Sequence, residues 1–375
     1  MGTLTAFRAG LATVALTAGL VACGTRERAD AIDESVRWTV DSLPHVDIAG
    51  NASDGRMVLG QPVGAVRLSD GTIVVADGAT ESLRFFDAAG RPLREAGGPG
   101  SGPGEFAGIK WLGRCAGDSV FVWDGRHFRM TVFGPGGTVA REFRFASGAA
   151  AVPPLQLACS RDEAIALQQF PAGMRVPDGD GPLPHYRAPL LISDLGGGVS
   201  ASLDGVPALE NRPLGKVTSI ALAEGLLYVG TAESAAIDVY GLDGRQRAAM
   251  RVPGRLRPAT QVHYERVIDR MVAFYSDSRE REHWRGVLLR LPMPEHLPPY
   301  TGLFTDVEGS LWVLTSIPGD GETRFVVLRY PEGAIATVAV PAEIRVFDVG
   351  DDYVLGARES RGGEPHVVLY RVRRG

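Results

Sequence analysis

Short apolar runs, each opened by a polar two-residue turn, recur along most of the chain. Asp70-Gly71 precedes TIVVAD, Gly117-Asp118 precedes SVFVWD, and Arg161-Asp162 precedes EAIALQ. Further on, Glu224-Gly225 precedes LLYVGT, Glu308-Gly309 precedes SLWVLT, and Asp351-Asp352 precedes YVLGA. Aligned on their last residues, the six copies end at Asp77, Asp124, Gln168, Thr231, Thr315 and Ala357, at spacings of 47, 44, 63, 84 and 42 residues. Five are followed by a second apolar run and a Gly-bearing turn, as in LRFFDAAGR (83–91) and MTVFGPGGT (130–138). Strand, tight turn, strand, connection, strand, turn, strand describes a four-stranded antiparallel meander. The runs are continuous where a half-buried strand would alternate, Ile73-Val74-Val75-Ala76 being typical. Strands covered on both faces have this pattern.

A repeating meander of 40-odd residues predicts an all-β chain: a six-bladed β-propeller of four-stranded antiparallel blades. The last copy has Ile344–Val349, Tyr353–Ala357 and His366–Val372 but no fourth strand. Val36–Val40, with a second candidate at His45–Ala49, belongs to no repeat, so an N-terminal strand is expected to close the last blade and cover its edge. The meander also sorts the connections. Turns between first and second and between third and fourth strands share one face and are short. The long connections share the other: 97–106, Phe170–Ala188, and Pro253–Tyr300 between blades 4 and 5. The last of these carries a helical insertion at about 258–298, where Tyr264, Val267, Ile268, Met271, Val272 and Tyr275 form one stripe of a 3.6-residue period and Thr260 is the N-cap. That helix would plug the mouth of the ring or lie over a ligand as a lid.

The start of the chain is patterned differently. Arg8 precedes the twelve apolar and small residues Leu11–Ala22, too few for a permanent span, and Leu20-Val21-Ala22-Cys23 resembles a bacterial lipobox. The resemblance implies a lipoprotein signal peptide over 1–22, acylation of Cys23, a polar tether over 23–35, and a propeller over 36–375 held to a lipid bilayer in the cell envelope. In that oxidising compartment Cys115 and Cys159, three residues ahead of matching turn positions Asp118 and Asp162, are a possible disulfide; two buried thiols are the alternative.

The repeats ending in V-A-D followed by F-D-x-x-G-R resemble NHL-type blades. Gly97–Phe106 (GGPGSGPGEF) and Pro292–Pro298 (PMPEHLP) resemble connectors of six-bladed β-propeller lipoproteins. Gln168 and Ala357 depart from the repeat's Asp. The resemblance implies binding of a ligand or protein partner, with no settled activity.

Composition adds exclusions. With 39 Lys+Arg against 44 Asp+Glu, the net charge of −5 offers no nucleic-acid groove. Gly98–Gly104 lacks the Lys-Ser/Thr of a phosphate loop, no G-x-S-x-G elbow occurs, and the seven His show no ligand spacing. Asp178-Gly179-Asp180-Gly181 lacks the Glu that closes a calcium loop. What survives is a ring of second-strand ends on the long-loop face: Asp77, Trp123, Asp124, Gln168, Thr231 and Thr315. Trp123 would supply a stacking surface and Arg84 or Arg126 a counter-charge. In gluconolactonase-type propellers carboxylates on this face hold a metal, so a metal-assisted hydrolase or lyase is the alternative to plain binding. We prefer to read Asp77 and Asp124 as capping backbone N–H groups of the turn that follows, so that Ala at either costs ~1 kcal/mol and no cofactor is involved.

Overall fold

The computed structural model describes residues 36–49, 59–146, 154–161, 163–175, 183–273, 275 and 277–375. The leader, Cys23, the whole 23–35 tether and the Asp178–Gly181 turn lie outside them. Two short strands, β1 (Arg37–Val40) and β2 (Val46–Ala49), precede the repeats. Four four-stranded antiparallel sheets then follow in chain order. The first holds β3 (Pro62–Arg67), β4 (Ile73–Asp77), β5 (Ser82–Phe86) and β6 (Pro92–Gly97). The second holds β7 (Ile109–Cys115), β8 (Ser119–Asp124), β9 (Arg129–Phe133) and β10 (Val139–Phe143). The third holds β11 (Pro154–Cys159), β12 (Ile165–Gln169), β13 (His185–Ser193) and β14 (Val199–Glu210). The fourth holds β15 (Ser219–Ala223), β16 (Leu226–Gly230), β17 (Ala236–Gly241) and β18 (Gln246–Arg251).

After the helices α1 (Gln261–Val272) and α2 (Ser278–Leu289) come β19 (Gly302–Thr305), β20 (Leu311–Leu314), β21 (Thr323–Arg329) and β22 (Gly333–Val340). The last strands are β23 (Arg345–Val349), β24 (Tyr353–Glu359) and β25 (Pro365–Arg373). These two groups join in one nine-stranded sheet, and β1 is the seam. Arg37 and Trp38 pair parallel with Thr337 and Val338 of β22, and then Thr39 and Val40 pair antiparallel with Arg373 and Val372 of β25. β2 continues along β25, from Val46 opposite Leu369 to Ala49 opposite His366. Both N-terminal candidates are therefore used: β2 as the outer strand on β25, and β1 as a splice between β22 and β25.

The first strands touch one another in the cyclic order β3, β7, β11, β15, β19, β23 and back to β3. Between successive sheets lies an apolar layer. Val74, Ala76, Phe85, Phe106, Leu112 and Val122 fill the one between the first two sheets. Ile73, Val75, Ile48, Leu355, Val367 and Leu369 fill the one where the ring returns to its start. Alternate residues of β4 thus enter different layers and every one is buried, which is why the run Ile73–Ala76 shows no polar face. The fold is a β-propeller.

Two expectations need correction. The insertion holds two helices, not one. α2 (SREREHWRGVLL) starts with an Asp277 cap accepting from Arg279 N and Glu280 N; it fully buries none of its residues, and its apolar face is only Trp284, Leu288 and Leu289 near its end, too short a stripe to betray it. Tyr264, Ile268 and Val272 pack with Leu214, Leu297 and Ile317 in a cluster of their own. In the third sheet, β13 begins at His185, inside the segment read as loop up to Ala188.

Candidate functional site

The second-strand ends are buried and committed to the backbone. Asp77 has no exposed surface; its Oδ2 accepts from Gly60 N (2.8 Å), and its Oδ1 from Gln61 N (2.8 Å) and Ala79 N (3.0 Å). Asp124 is equally buried, with Ala107 N (2.9 Å) on Oδ2 and Arg126 N (2.8 Å) and His127 N (3.0 Å) on Oδ1. Burial pushes the Asp124 carboxyl up, but the backbone N–H groups of His127, Ala107 and Arg126 outweigh it and hold the group below its ordinary value. Each carboxylate ties the segment entering its blade's first strand to the turn leaving the second. Gln168 sits at the matching place and donates to Pro207 O (3.0 Å). In the fourth sheet Tyr300 takes over: its OH accepts from Ala232 N (3.1 Å) and donates to Ala236 O (2.7 Å). Thr231 accepts from Glu233 N (3.4 Å), and Thr315 donates to Arg324 O (3.3 Å).

These residues do not converge on a site. With three backbone donors on each buried carboxylate, Asp77 and Asp124 do not fit a divalent cation, and no group of three or more metal-ligating side chains occurs among the described residues. Arg84, on β5, stands 3.7 Å from Asp77, and His127 Nδ1, in the turn after Asp124, stands 2.9 Å from its Oδ2. Of the six candidates only Trp123 lines the central cavity.

That cavity, of about 770 Å³, runs along the axis and is walled by the six first strands. Its walls are mostly apolar, with Val66, Leu112, Leu157, Leu222, Phe304 and Phe347 contributed by different strands. Lys110 and Arg345 stand towards the long-loop end, and Arg114, Arg161 and Asp348 towards the short-turn end. Asp348 accepts from Tyr353 OH (2.6 Å) and Arg67 N (3.1 Å), and the Arg67 guanidinium lies 5.0 Å from the centre of the Tyr353 ring. Burial drives the Asp348 carboxyl above its ordinary value despite Arg114, Tyr353 and Arg67 N. Burial and the neighbouring Asp348 charge likewise push Tyr353 well up.

Cys115 and Cys159 form a disulfide with a Cα–Cα distance of 5.8 Å, joining β7 to β11 beside the cavity. Sequence reasoning saw these cysteines but not the arginines flanking them, Arg114 one residue before Cys115 and Arg161 two after Cys159. The clue was available: a pair of matched cysteines brings matched neighbours together.

The Gly97–Phe106 connector is a structural tie. Phe106 is fully buried, 6.0 Å from Phe133, while Arg129 donates to the carbonyls of Gly102 (3.2 Å) and Glu105 (2.6 Å).

No protein-family model matches the chain, and no curated protein matches it either. Among solved structures, a member of the DUF4221 family from Bacteroides vulgatus is similar, with a TM-score of 0.54 at 10% identity over 90% of this chain and 99% of that one. A putative exported protein from Bacteroides fragilis follows at TM-score 0.49 and 13% identity, covering 92% and 97%. The PQQ-bound aldose sugar dehydrogenase from Streptomyces coelicolor follows at 0.46 and 14%, covering 90% and 99%. At such identities the likeness is one of fold alone. No described helix is long and apolar enough to cross a membrane.

Proposed function

We propose that the chain is an exported six-bladed β-propeller, anchored to the envelope membrane through acylated Cys23, that binds a protein partner or ligand through its long-loop face without a chemical step. The count of six rests on splitting the nine-stranded sheet at β1, in keeping with six first strands touching in a cycle. The observation that carries the binding reading is the α1–α2 hairpin. It is fastened by Arg257 to Asp320 (2.5 and 2.8 Å) and by Arg285 to Asp269 (2.9 Å). Around it Leu256 (59%), Val262 (58%), Met293 (40%) and Met271 (37%) face solvent, and such apolar exposure on a fastened element marks an interaction surface. The metal-assisted hydrolase or lyase would have to draw on Asp77 and Asp124, whose lone pairs are already engaged.

The test is affinity purification of the full chain from its native envelope, beside a Val262→Glu/Met271→Glu variant and a Cys23→Ser variant. A partner recovered with the wild type and lost with the hairpin variant supports the reading; equal recovery overturns it. Cys23→Ser is expected to move the chain out of the membrane fraction, and retention there would remove the anchor.

A further inference from the structure

We infer that Arg114 and Arg161 form a carboxylate-binding site at the short-turn end of the axial cavity, taking a monoanionic organic acid whose apolar body lies along the cavity walls. The site is on the opposite face from the hairpin and stands or falls independently of it.

The Arg114 side chain is 90% buried, with 10% of its surface exposed. None of its guanidinium nitrogens is both fully buried and unpaired: the stem is covered and the donors open on to the cavity. No hydrogen bond joins the guanidinium to any described residue, and its nearest carboxylate is Asp118 Oδ1 at 3.8 Å. That carboxylate is engaged elsewhere: Ser69 N lies 3.0 Å from Oδ1 and 3.2 Å from Oδ2, and Ser69 Oγ also donates to Oδ2. Arg161, from the next blade, lines the same cavity and has no ion-pair partner among the described residues. Burial and the charge of Arg114 press its pKa down, outweighing the pull of Tyr353, Asp348 and Asp118. Two cations so close repel each other and both gain from an anion between them.

The backbones that carry them are held. The Cys115–Cys159 disulfide ties the strand of one to the strand of the other, and Gly117 N donates to Arg161 O (2.8 Å). A pair fixed in this way loses little freedom on binding, the condition for bidentate capture of a planar anion.

The charges nearby set the ligand's own charge. Asp348 lies within electrostatic reach of both arginines, and Glu163, Glu224 and Asp306 also face this end. Asp306 is neutralised by Arg374 (2.7 Å) and accepts from Trp312 Nε1 (3.0 Å). Asp348 and Asp118 already offset part of the arginines' charge, so the pair suits one negative charge better than the two of a phosphate monoester. Beyond the arginines the walls are Leu112, Leu157, Leu222 and Phe347, and the volume is that of a small-molecule site.

The probes are octanoate, octanol and octyl phosphate, titrated calorimetrically into the soluble Cys23→Ser chain. Octanoate is expected to bind at least tenfold more tightly than either of the others. Arg161→Gln, at a half-exposed position, is expected to weaken octanoate at least tenfold with octanol unchanged, and Arg114→Gln to do the same if it folds. Asp348→Asn is expected to tighten octanoate. Equal binding of octanoate and octanol, no binding of octanoate, or an Arg161→Gln chain that binds octanoate like the wild type overturns the site. Tighter binding of octyl phosphate overturns the monoanion. The Val262→Glu/Met271→Glu variant should bind octanoate unchanged, so failure of this site and failure of the hairpin as a partner surface are read separately.

Discussion

Asp124 is fully buried and Asp348 half-buried against the cavity, and their surroundings act on the two carboxylates in opposite senses. Three backbone N–H groups converge on Asp124 and hold its pKa below the ordinary value. Its contribution to stability is therefore fully present above the unfolded carboxylate pKa of about 3.9 and is lost as pH falls through the depressed folded value. Asp124→Ala leaves those donors unpaired and is expected to lower stability by about 3 kcal/mol in denaturant titrations, more than a single lost cap. Asp348 is raised by burial, so it favours folding below about pH 3.9 and that contribution disappears as pH rises through its raised value. Asp348→Asn, whose amide oxygen still accepts from Tyr353, is expected to raise the melting temperature at pH 7 and to lose that gain by pH 4. Equal melting of variant and wild type at both values would refute the assignment. The sequence made Asp77 and Asp124 legible as repeated positions that cap their own turns, but not the further donors that reach them from the segment ahead of the first strand. Two of the three donors on Asp77 come from Gly60 and Gln61, ahead of the repeat, and no periodicity points to them. Asp348 was passed over because its partners, Tyr353 and Arg67, come from the next strand and from the first blade.

Strands were legible wherever burial on both faces removes polar residues from the run, as in β4 and β8. The helices divide on the same principle. α1 announces itself by Tyr264, Ile268 and Val272, which it buries, whereas α2 only half-buries Trp284, Leu288 and Leu289 against that cluster and is further held by its Asp277 cap and by Arg285 on Asp269. Since the hairpin's apolar cluster is separate from the layers between sheets, replacing 258–298 by a short Gly/Ser linker should leave the propeller folded. The expected result is one cooperative thermal transition, with loss of helical circular dichroism alone. Loss of the transition would make the insertion part of the fold. The disulfide joins elements 44 residues apart, and the chain-entropy relation assigns such a loop about 4 kcal/mol. Cys115→Ala/Cys159→Ala should lower stability by up to that amount, measured by guanidinium unfolding under non-reducing conditions.

A ring of sheets has no edge only if its ends meet, and here the meeting is made by β1 and β2. That an N-terminal segment would close the last blade could be read from a missing fourth strand; that it would also pair with β22 could not, because a parallel splice leaves no mark on the pattern of one strand. Trp38 is the wedge of this splice. It is nearly buried, with Trp312 at 5.6 Å on one side and the Arg374 guanidinium at 4.6 Å on the other, and Arg374 in turn bonds Asp306 (2.7 Å). One side chain thus joins the start of the ring, its fifth sheet and the end of the chain. Trp38→Ala should cost about 4 kcal/mol, the range for emptying a large aromatic site. Leu93→Ala, on an exposed rim strand, should cost under about 0.5 kcal/mol. If β1 closes the ring, Trp38→Ala should also expose the facing edges of β22 and β25, and light scattering should detect association well below the wild-type melting temperature. A Trp38→Ala chain that melts like Leu93→Ala and stays monomeric would mean that β2 alone closes the ring.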